Sequence, residues 1–284
     1  MLSSGTRVGE YLIVRRAAVG AMSDVYEARH SVTDEPVAVK VLSKRWCVHA
    51  EVVARFLNEA QTLQELQHPR LVRGLASGVL SDGPPFMVLE WMPVDLHHAL
   101  ARAGGRLPER VCARLIRQLA EGLAALHARG LVHRDLKPAN VLLTRPEPEL
   151  WEAKLADLGL AKRIPQEGAG PSALPVSTAG SALLGTWDYM APEQWASSKH
   201  VDFKVDVYAL GILWFQVLAG RLPFIGDEQQ SLMSRHAFQD PPLHLLEGLA
   251  PEATRTMVAR MLSKFASKRP TLDDILARVS TENG

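Results

Sequence analysis

Apolar residues in the N-terminal third of the chain recur in two rhythms. Segments 11–15, 25–29 and Pro36–Leu42 are short and rich in β-branched or aromatic residues, which predicts strands. In the third of them Val37, Val39 and Val41 alternate with Ala38, Lys40 and Leu42, so Lys40 faces away from the valines. Over 51–67 the spacing lengthens to three and four. Val53, Phe56, Leu57, Ala60, Leu63 and Leu66 mark a helix, and His68-Pro69 ends it. Segment 86–91 reads as a further strand.

After Pro93 the rhythm is mostly helical. Segment 110–129 places Val111, Leu115, Leu119 and Leu126 on one stripe, with Gly130 to close it. Segments 205–219, 251–263 and Leu272–Ser280 repeat that pattern. Strands with one helix, followed by many helices, predict an α+β architecture of two lobes joined near 90–94. Segment 163–184, with Pro165, Pro171 and Pro175 among glycines and serines, has neither rhythm and reads as a functional or disordered loop. The longest apolar stretch lies within 207–219 and is broken by Gln216. It falls short of the roughly 18 residues of a membrane span and reads as a buried helix.

Composition narrows the picture. The chain has 284 residues, 32 basic against 31 acidic, and a net charge of +1. Its length allows a full core without staples, and its balance gives no global field for nucleic acid or an anionic membrane. Cys47 and Cys112 are too far apart in sequence for a zinc knuckle or a redox pair and read as small core residues. The first ten residues show no signal-peptide pattern, and a cytoplasmic protein is expected.

Candidate chemistry gathers in His133-Arg134-Asp135-Leu136-Lys137-Pro138-Ala139-Asn140. An acid, a cation and an amide in one short loop suit phosphoryl transfer. Asp135 orients an attacking hydroxyl and takes its proton, Lys137 neutralises phosphoryl charge, and Asn140 ligates a hard metal ion. Asp157 in Asp157-Leu158-Gly159 becomes a second magnesium ligand. Lys40 lies between apolar positions, and Glu59 on the next helix is a natural ion-pair partner. Taken singly, Glu59 reads as a solvated helix face, Asp206 as a helix cap and Arg269 as a surface charge. His97-His98 point about 100° apart on a helix and make a poor metal site. His133 reads as a packed structural residue.

VAVK at 37–40, Glu59 in FLNEA, HRDLKPAN, DLG at 157–159, GTWDYMAPE at 185–193, Asp206 in DVYALG and Arg269 in KRPT stand in one fixed order. On these motifs the chain resembles the eukaryotic-type serine/threonine protein kinases, most of all the bacterial members. The resemblance implies a bilobal kinase domain over 11–279. Its β-rich N-lobe would span about 11–90 and its hinge about 90–94. A mostly helical C-lobe would fill about 95–279, and 1–10 and 280–284 would be tails. Nothing would then remain for a sensor or further module.

The same resemblance implies roles. Lys40, paired with Glu59, holds the α- and β-phosphates of ATP. Asp135 is the base, Lys137 touches the γ-phosphate, and Asn140 and Asp157 bind Mg2+, or Mn2+ in its place. Leu89 is the gatekeeper and Glu90 to Met92 the adenine-pairing hinge. Val25, Ala38 and Leu142 sandwich the adenine, and Asp95 contacts the ribose. Thr186 shapes the acceptor site, Glu193 braces Arg269, and Asp206 supports the catalytic loop. Arg134 implies switching by activation-loop phosphorylation, with Thr178 and Ser181 ahead of Ser177 and Ser172 as sites, and a transient homodimer for autophosphorylation. The partners are protein substrates with Ser/Thr acceptors.

The phosphate-covering loop departs from the glycine-rich pattern. Of its three glycines only Gly20 remains, with Ala18 and Ser23 at the others. Alanine for glycine costs about 1 kcal/mol where φ is positive and little elsewhere. Weaker ATP affinity is expected, and a pseudokinase scaffold is the rival reading. A small-molecule phosphotransferase is a third, opposed by Ala191-Pro192-Glu193 with Arg269. Segment 145–152 looks long for a turn; Trp151 there either packs locally or meets a partner. Segment 243–249 is apolar and matches the pattern poorly.

Overall fold

The computed structural model describes residues 1–81, 83–158, 162–163, 187–196 and 201–280. The chain divides into two units, Met1–Pro93 with Asp157–Gly159, and Val94–Ala156 with Leu160–Gly284.

The first unit is built on a six-stranded antiparallel sheet. Its strands are β1 (Arg7–Val8), β2 (Tyr11–Val19), β3 (Ser23–His30), β4 (Pro36–Leu42), β5 (Gly74–Val79) and β6 (Pro85–Glu90), in the order β1-β2-β3-β4-β6-β5. The valines of β4 bury one face with Ile13, Tyr26, Ala28 and Val88. Helix α1 (Ala50–Glu65) packs on β5 and β6 and buries Phe56, Ala60 and Leu63. Strand β2 runs past 15 because its pairing with β3 continues to Val19 opposite Asp24. That extension is mostly exposed, so no alternation announces it. Strand β5, Gly-Leu-Ala-Ser-Gly-Val, carries no strand signature either. Its glycines answer to packing: a Cβ on Gly78 would stand 2.9 Å from Phe86 Cζ, and one on Gly74 2.9 Å from the Gln64 backbone nitrogen.

The second unit is mainly helical. It contains β7 (Val94–Asp95), α2 (Leu96–Arg102), α3 (Glu109–His127), β8 (Leu131–Val132), β9 (Val141–Leu143), β10 (Ala153–Leu155) and β11 (Lys162–Arg163). These are followed by α4 (Pro192–Ala196), α5 (Lys204–Ala219), α6 (Gln229–Phe238), α7 (Glu252–Met261) and α8 (Leu272–Ser280). Helix α3 turns its predicted stripe inward, against α5 and α8. Helix α5 is apolar and buried on nearly every side, as a central core helix must be. Gly220, at φ 74°, stops it in the left-handed conformation. Helix α2 is too short to give a readable period, and α6 buries only Leu232 and His236, so it carries no apolar stripe.

Trp151 is buried and donates through Nε1 to the Pro146 carbonyl at 3.2 Å, so it packs locally. Gln118 of α3 pins the same segment, accepting from Ala153 N at 2.6 Å and donating to the Trp151 carbonyl at 3.2 Å. Leu243–Leu246 forms a single 3-10 turn that buries Leu246. Cys112 is buried, and burial pushes its thiol up. Among the described residues no helix is long and apolar enough to cross a membrane.

Candidate functional site

In the β-rich unit the pleat of β4 sends Lys40 to the face opposite its valines, where it stands across from Val25 and Met87. Lys40 Nζ lies 2.9 Å from Glu59 Oε1 and 3.2 Å from Asp157 Oδ1. Glu59 is buried on the inner side of α1, so it is no solvated helix charge. Burial works against the Lys40 charge, but Asp157 and Glu59 outweigh it and hold the ammonium above its ordinary pKa. Burial raises the Glu59 carboxyl; Lys40 and the Leu158 backbone N–H offset part of that. Asp157 adopts φ 62°, and its side chain is 47% exposed.

Ala38 is buried on β4 and Val25 half-buried on β3. Leu89 and Glu90 end β6, half-buried, and Met92 is buried beyond them. Glu90 is fixed twice: its N–H donates to the Arg73 carbonyl at 3.0 Å, and its Oε1 accepts from Arg73 N at 2.8 Å.

The hairpin carrying Ala18, Gly20 and Ser23 joins β2 to β3. Ala18 pairs with Val25 in the ladder, and its φ is not positive. The alanine therefore costs no backbone strain. Gly20 is required by space, since a Cβ there would stand 2.6 Å from the Ser23 carbonyl oxygen. Gly20 N–H donates to that same oxygen at 2.9 Å. Two side chains that the sequence did not single out reach the tip. Arg45 and Trp46, in the turn after β4, both donate to the Ala21 carbonyl, Trp46 Nε1 at 3.0 Å. Their partner is a backbone atom, so no sequence pattern marks them.

In the helical unit the loop 133–140 is organised by Asp206, fully buried in the first turn of α5. Its Oδ2 accepts from His133 N at 2.9 Å and from His127 Nε2 at 2.8 Å; its Oδ1 accepts from Arg134 N at 2.9 Å. Arg134 is held at φ 67°. His127 is a further residue missed in the sequence, where it reads as the last turn of α3. His133 is fully buried, with Nε2 donating to the Ala156 carbonyl at 3.2 Å and Nδ1 accepting from Asp135 N at 3.3 Å. Both ring nitrogens are occupied, which makes it a structural residue.

Asp135 projects from this frame. Lys137 Nζ lies 3.0 and 2.9 Å from its two carboxylate oxygens. Asn140 Nδ2 donates to the Asp135 carbonyl at 2.8 Å and to Oδ2 at 2.9 Å. With its nitrogen so engaged, Asn140 accepts no hydrogen bond at Oδ1 among the described residues, and that oxygen suits a cation. Asn140 and Asp157 are hard oxygen donors, the kind magnesium takes. Leu142 is half-buried on β9, opposite Asp95 of β7. Asp95 caps α2, its Oδ1 accepting from His98 N at 2.9 Å and its Oδ2 lying 2.7 Å from His98 Nδ1.

Arg269 is buried, not a surface charge. It forks onto Glu193 at 2.5 and 2.8 Å, and also donates to the Ser263 and Lys204 carbonyls. The Arg134 guanidinium is desolvated, which lowers its pKa, while Asp206 raises it. Among the described residues its Nε and Nη1 are buried without a hydrogen-bond partner. Thr186 and the sites Ser172, Ser177, Thr178 and Ser181 lie outside the described residues.

Comparison with known proteins places this geometry in context. Residues 12–279 match the protein kinase domain. The serine/threonine-protein kinase pkn2 of Myxococcus xanthus is 36% identical over 92% of this chain and 31% of its own length. The kinase PknH of Mycobacterium tuberculosis is 34% identical over 93% of this chain and 40% of its own length. PknA of Corynebacterium glutamicum is 34% identical over 78% and 46% respectively. The chain thus spans less than half the length of these curated relatives.

Proposed function

The chain belongs to the protein kinase domain family, whose members use ATP and a divalent metal and act on proteins; from that premise we propose that it phosphorylates serine or threonine hydroxyls of protein substrates. The observation that carries this reading is the Asp135–Lys137–Asn140 cluster on a loop anchored from beneath by Asp206. Asp135 orients the acceptor hydroxyl and takes its proton as the oxygen attacks the γ-phosphorus. The new O–P bond forms as the bond to the β–γ bridging oxygen breaks, and ADP leaves with that electron pair. Lys137 meets the charge on the transferred group. Lys40, held by Glu59, fixes the α- and β-phosphates. Asn140 and Asp157 would hold magnesium, which neutralises phosphate charge when bound. Positioning and electrostatics supply most of the acceleration.

Val25, Ala38 and Leu142 are assigned to the adenine, Leu89 to Met92 to the gatekeeper and hinge, and Asp95 to the ribose. Thr186 is assigned to the acceptor site. The scaffold reading draws on Ala18 and Ser23; the unstrained backbone at Ala18 removes much of its support. Incubation with γ-labelled ATP and a protein substrate tests the proposal. Phosphoserine or phosphothreonine is expected in the product. Absence of label, or label on tyrosine alone, would overturn it.

Arg134 extends the reading to regulation. Its buried guanidinium nitrogens suit a phosphate, which carries close to two negative charges. Autophosphorylation of Thr178 or Ser181, with Ser177 and Ser172 as lesser sites, would supply one, a second copy serving as transient substrate. Mass spectrometry of protein expressed without other kinases tests this. Phosphate within 163–186 is expected, and its absence there would count against it.

A further inference from the structure

The tip of the β2–β3 hairpin is held from outside itself. Val19 and Asp24 are its last ladder pair, and Gly20 N–H reaches the Ser23 carbonyl at 2.9 Å. Ala21 and Met22 stand exposed between them. Favoured two-residue hairpin turns need a positive φ at one or both central positions. Neither Ala21 nor Met22 adopts one. The turn therefore lacks the backbone preference that would close it unaided.

Its closure comes from the segment that follows β4. Ser43 N–H donates to the Met22 carbonyl at 2.9 Å. The Ala21 carbonyl accepts two further bonds, from the Arg45 guanidinium and from Trp46 Nε1 at 3.0 Å. Lys44–Trp46 is a single 3-10 turn, and its side chains support one another. Arg45 Cζ lies 5.8 Å from the Trp46 ring centroid, and Trp46 lies 5.4 Å from the His49 ring. Strand β4 thus carries Lys40 in its middle and a clamp on the hairpin tip just past its end.

We propose that Arg45 and Trp46 are positioning residues that hold the hairpin tip in the conformation competent to cover nucleotide phosphates. This rests on the reading that the chain binds ATP. In a glycine-rich loop the backbone approaches phosphate because glycine allows it. Here two of the three glycines are absent, and the clamp fixes the tip's main chain instead. A clamped tip spends more of its time competent. Apparent affinity falls in proportion to the competent fraction, so releasing the tip weakens binding of the phosphates. It leaves binding of the base and ribose alone.

The test is calorimetric titration of the full chain with Mg-ATP and, separately, with adenosine. The proteins are wild type, Arg45→Ala/Trp46→Phe and Arg45→Lys. The double variant is expected to bind Mg-ATP about tenfold more weakly and adenosine as wild type does. Arg45→Lys, which keeps a charged donor, is expected to retain most of the Mg-ATP affinity. Steady-state kinetics should show the same loss in KM for ATP with kcat nearly unchanged. Equal Mg-ATP affinity in wild type and double variant would overturn the clamp while leaving ATP binding standing. Equal weakening of Mg-ATP and adenosine would also overturn it, since that marks general damage. A wild-type chain that binds no Mg-ATP would overturn the ATP reading itself, and the clamp with it.

Discussion

Arg134 of the helical unit and Asp157 of the β-rich unit both stand in the left-handed backbone region, at φ 67° and 62°, but they are held by different means. The Arg134 backbone is gripped by Asp206, a fully buried carboxylate that accepts from two successive main-chain N–H groups and from His127. Arginine visits this region at a cost, and the buried anchor offsets it. Asp157 is a residue type that tolerates the conformation. It is tied mostly through its side chain: its half-exposed carboxylate meets Lys40, and only the one N–H of the next residue is taken by a buried carboxylate, Glu59. One arrangement fixes the main chain from the core. The other fixes charged groups to one another and can adjust. Under the proposed function, a loop that presents a base needs the first, and residues that accept and release a nucleotide suit the second.

The most damaging way to break the contrast is Asp206→Ala. It strands the buried His133 N–H and the half-buried Arg134 N–H and removes the anchor that offsets the Arg134 strain, so a stability loss of about 3–5 kcal/mol is expected in urea unfolding. A loss under about 1 kcal/mol would show that the anchor does not carry the loop.

Next in size is an acid effect confined to the helical unit. His236 is fully buried, with Nδ1 2.9 Å from the Tyr208 hydroxyl; burial and the nearby Lys264 push its pKa down to about 3. Above the ordinary imidazole value neither state binds the proton, and the contribution to stability is complete. As pH falls through that value the unfolded chain takes up a proton that the folded chain refuses. Stability is then lost progressively toward pH 3, by about 2 kcal/mol between pH 7 and 5. Unfolding against pH should show this slope in wild type and lose it in His236→Gln. Equal slopes would remove His236 from the account.

In the β-rich unit the expected effects fall on turnover. Glu59→Gln keeps the shape but weakens the hold on Lys40, so kcat/KM for ATP should fall about tenfold. The melting temperature should fall only slightly, because Asp157 stays beside the Lys40 ammonium that loses Glu59. A large drop in melting temperature would make this pair a structural anchor like Asp206 and erase the contrast. The smallest effect is expected at Arg134→Gly, which relieves the left-handed strain and removes buried nitrogens that have no partner among the described residues. Stability should match wild type or exceed it by up to about 1 kcal/mol. A clear loss in urea unfolding would mean that the guanidinium itself supports the loop.

What could be read in the sequence follows the same division. The pleat at Pro36–Leu42 and the three-and-four spacing around Glu59 give β4 and α1 directly, because side-chain periodicity sets them; the Lys40–Glu59 pair needs the motif, since Glu59 alone reads as a solvated charge. The charge of Asp206 is legible only as a motif; alone it reads as a helix cap, since burial on backbone donors has no local signature. Whether Ala18 strains the hairpin depended on a φ angle, which the ladder with Val25 decides. Strand β5 stayed hidden because its glycines serve close packing against Phe86 and α1 and do not mark a turn. Arg45 and Trp46 were silent because a carbonyl oxygen, common to all residues, is their target.

The central claim is that a core-anchored loop presents Asp135 as the base for phosphoryl transfer to protein hydroxyls. It is tested most directly by the single-turnover rate of transfer from Mg-ATP to a protein substrate, wild type against Asp135→Asn. The account predicts serine or threonine phosphorylation that falls by about 10²–10⁴-fold in the variant, with the free energy of unfolding unchanged. Equal rates in the two proteins would contradict it.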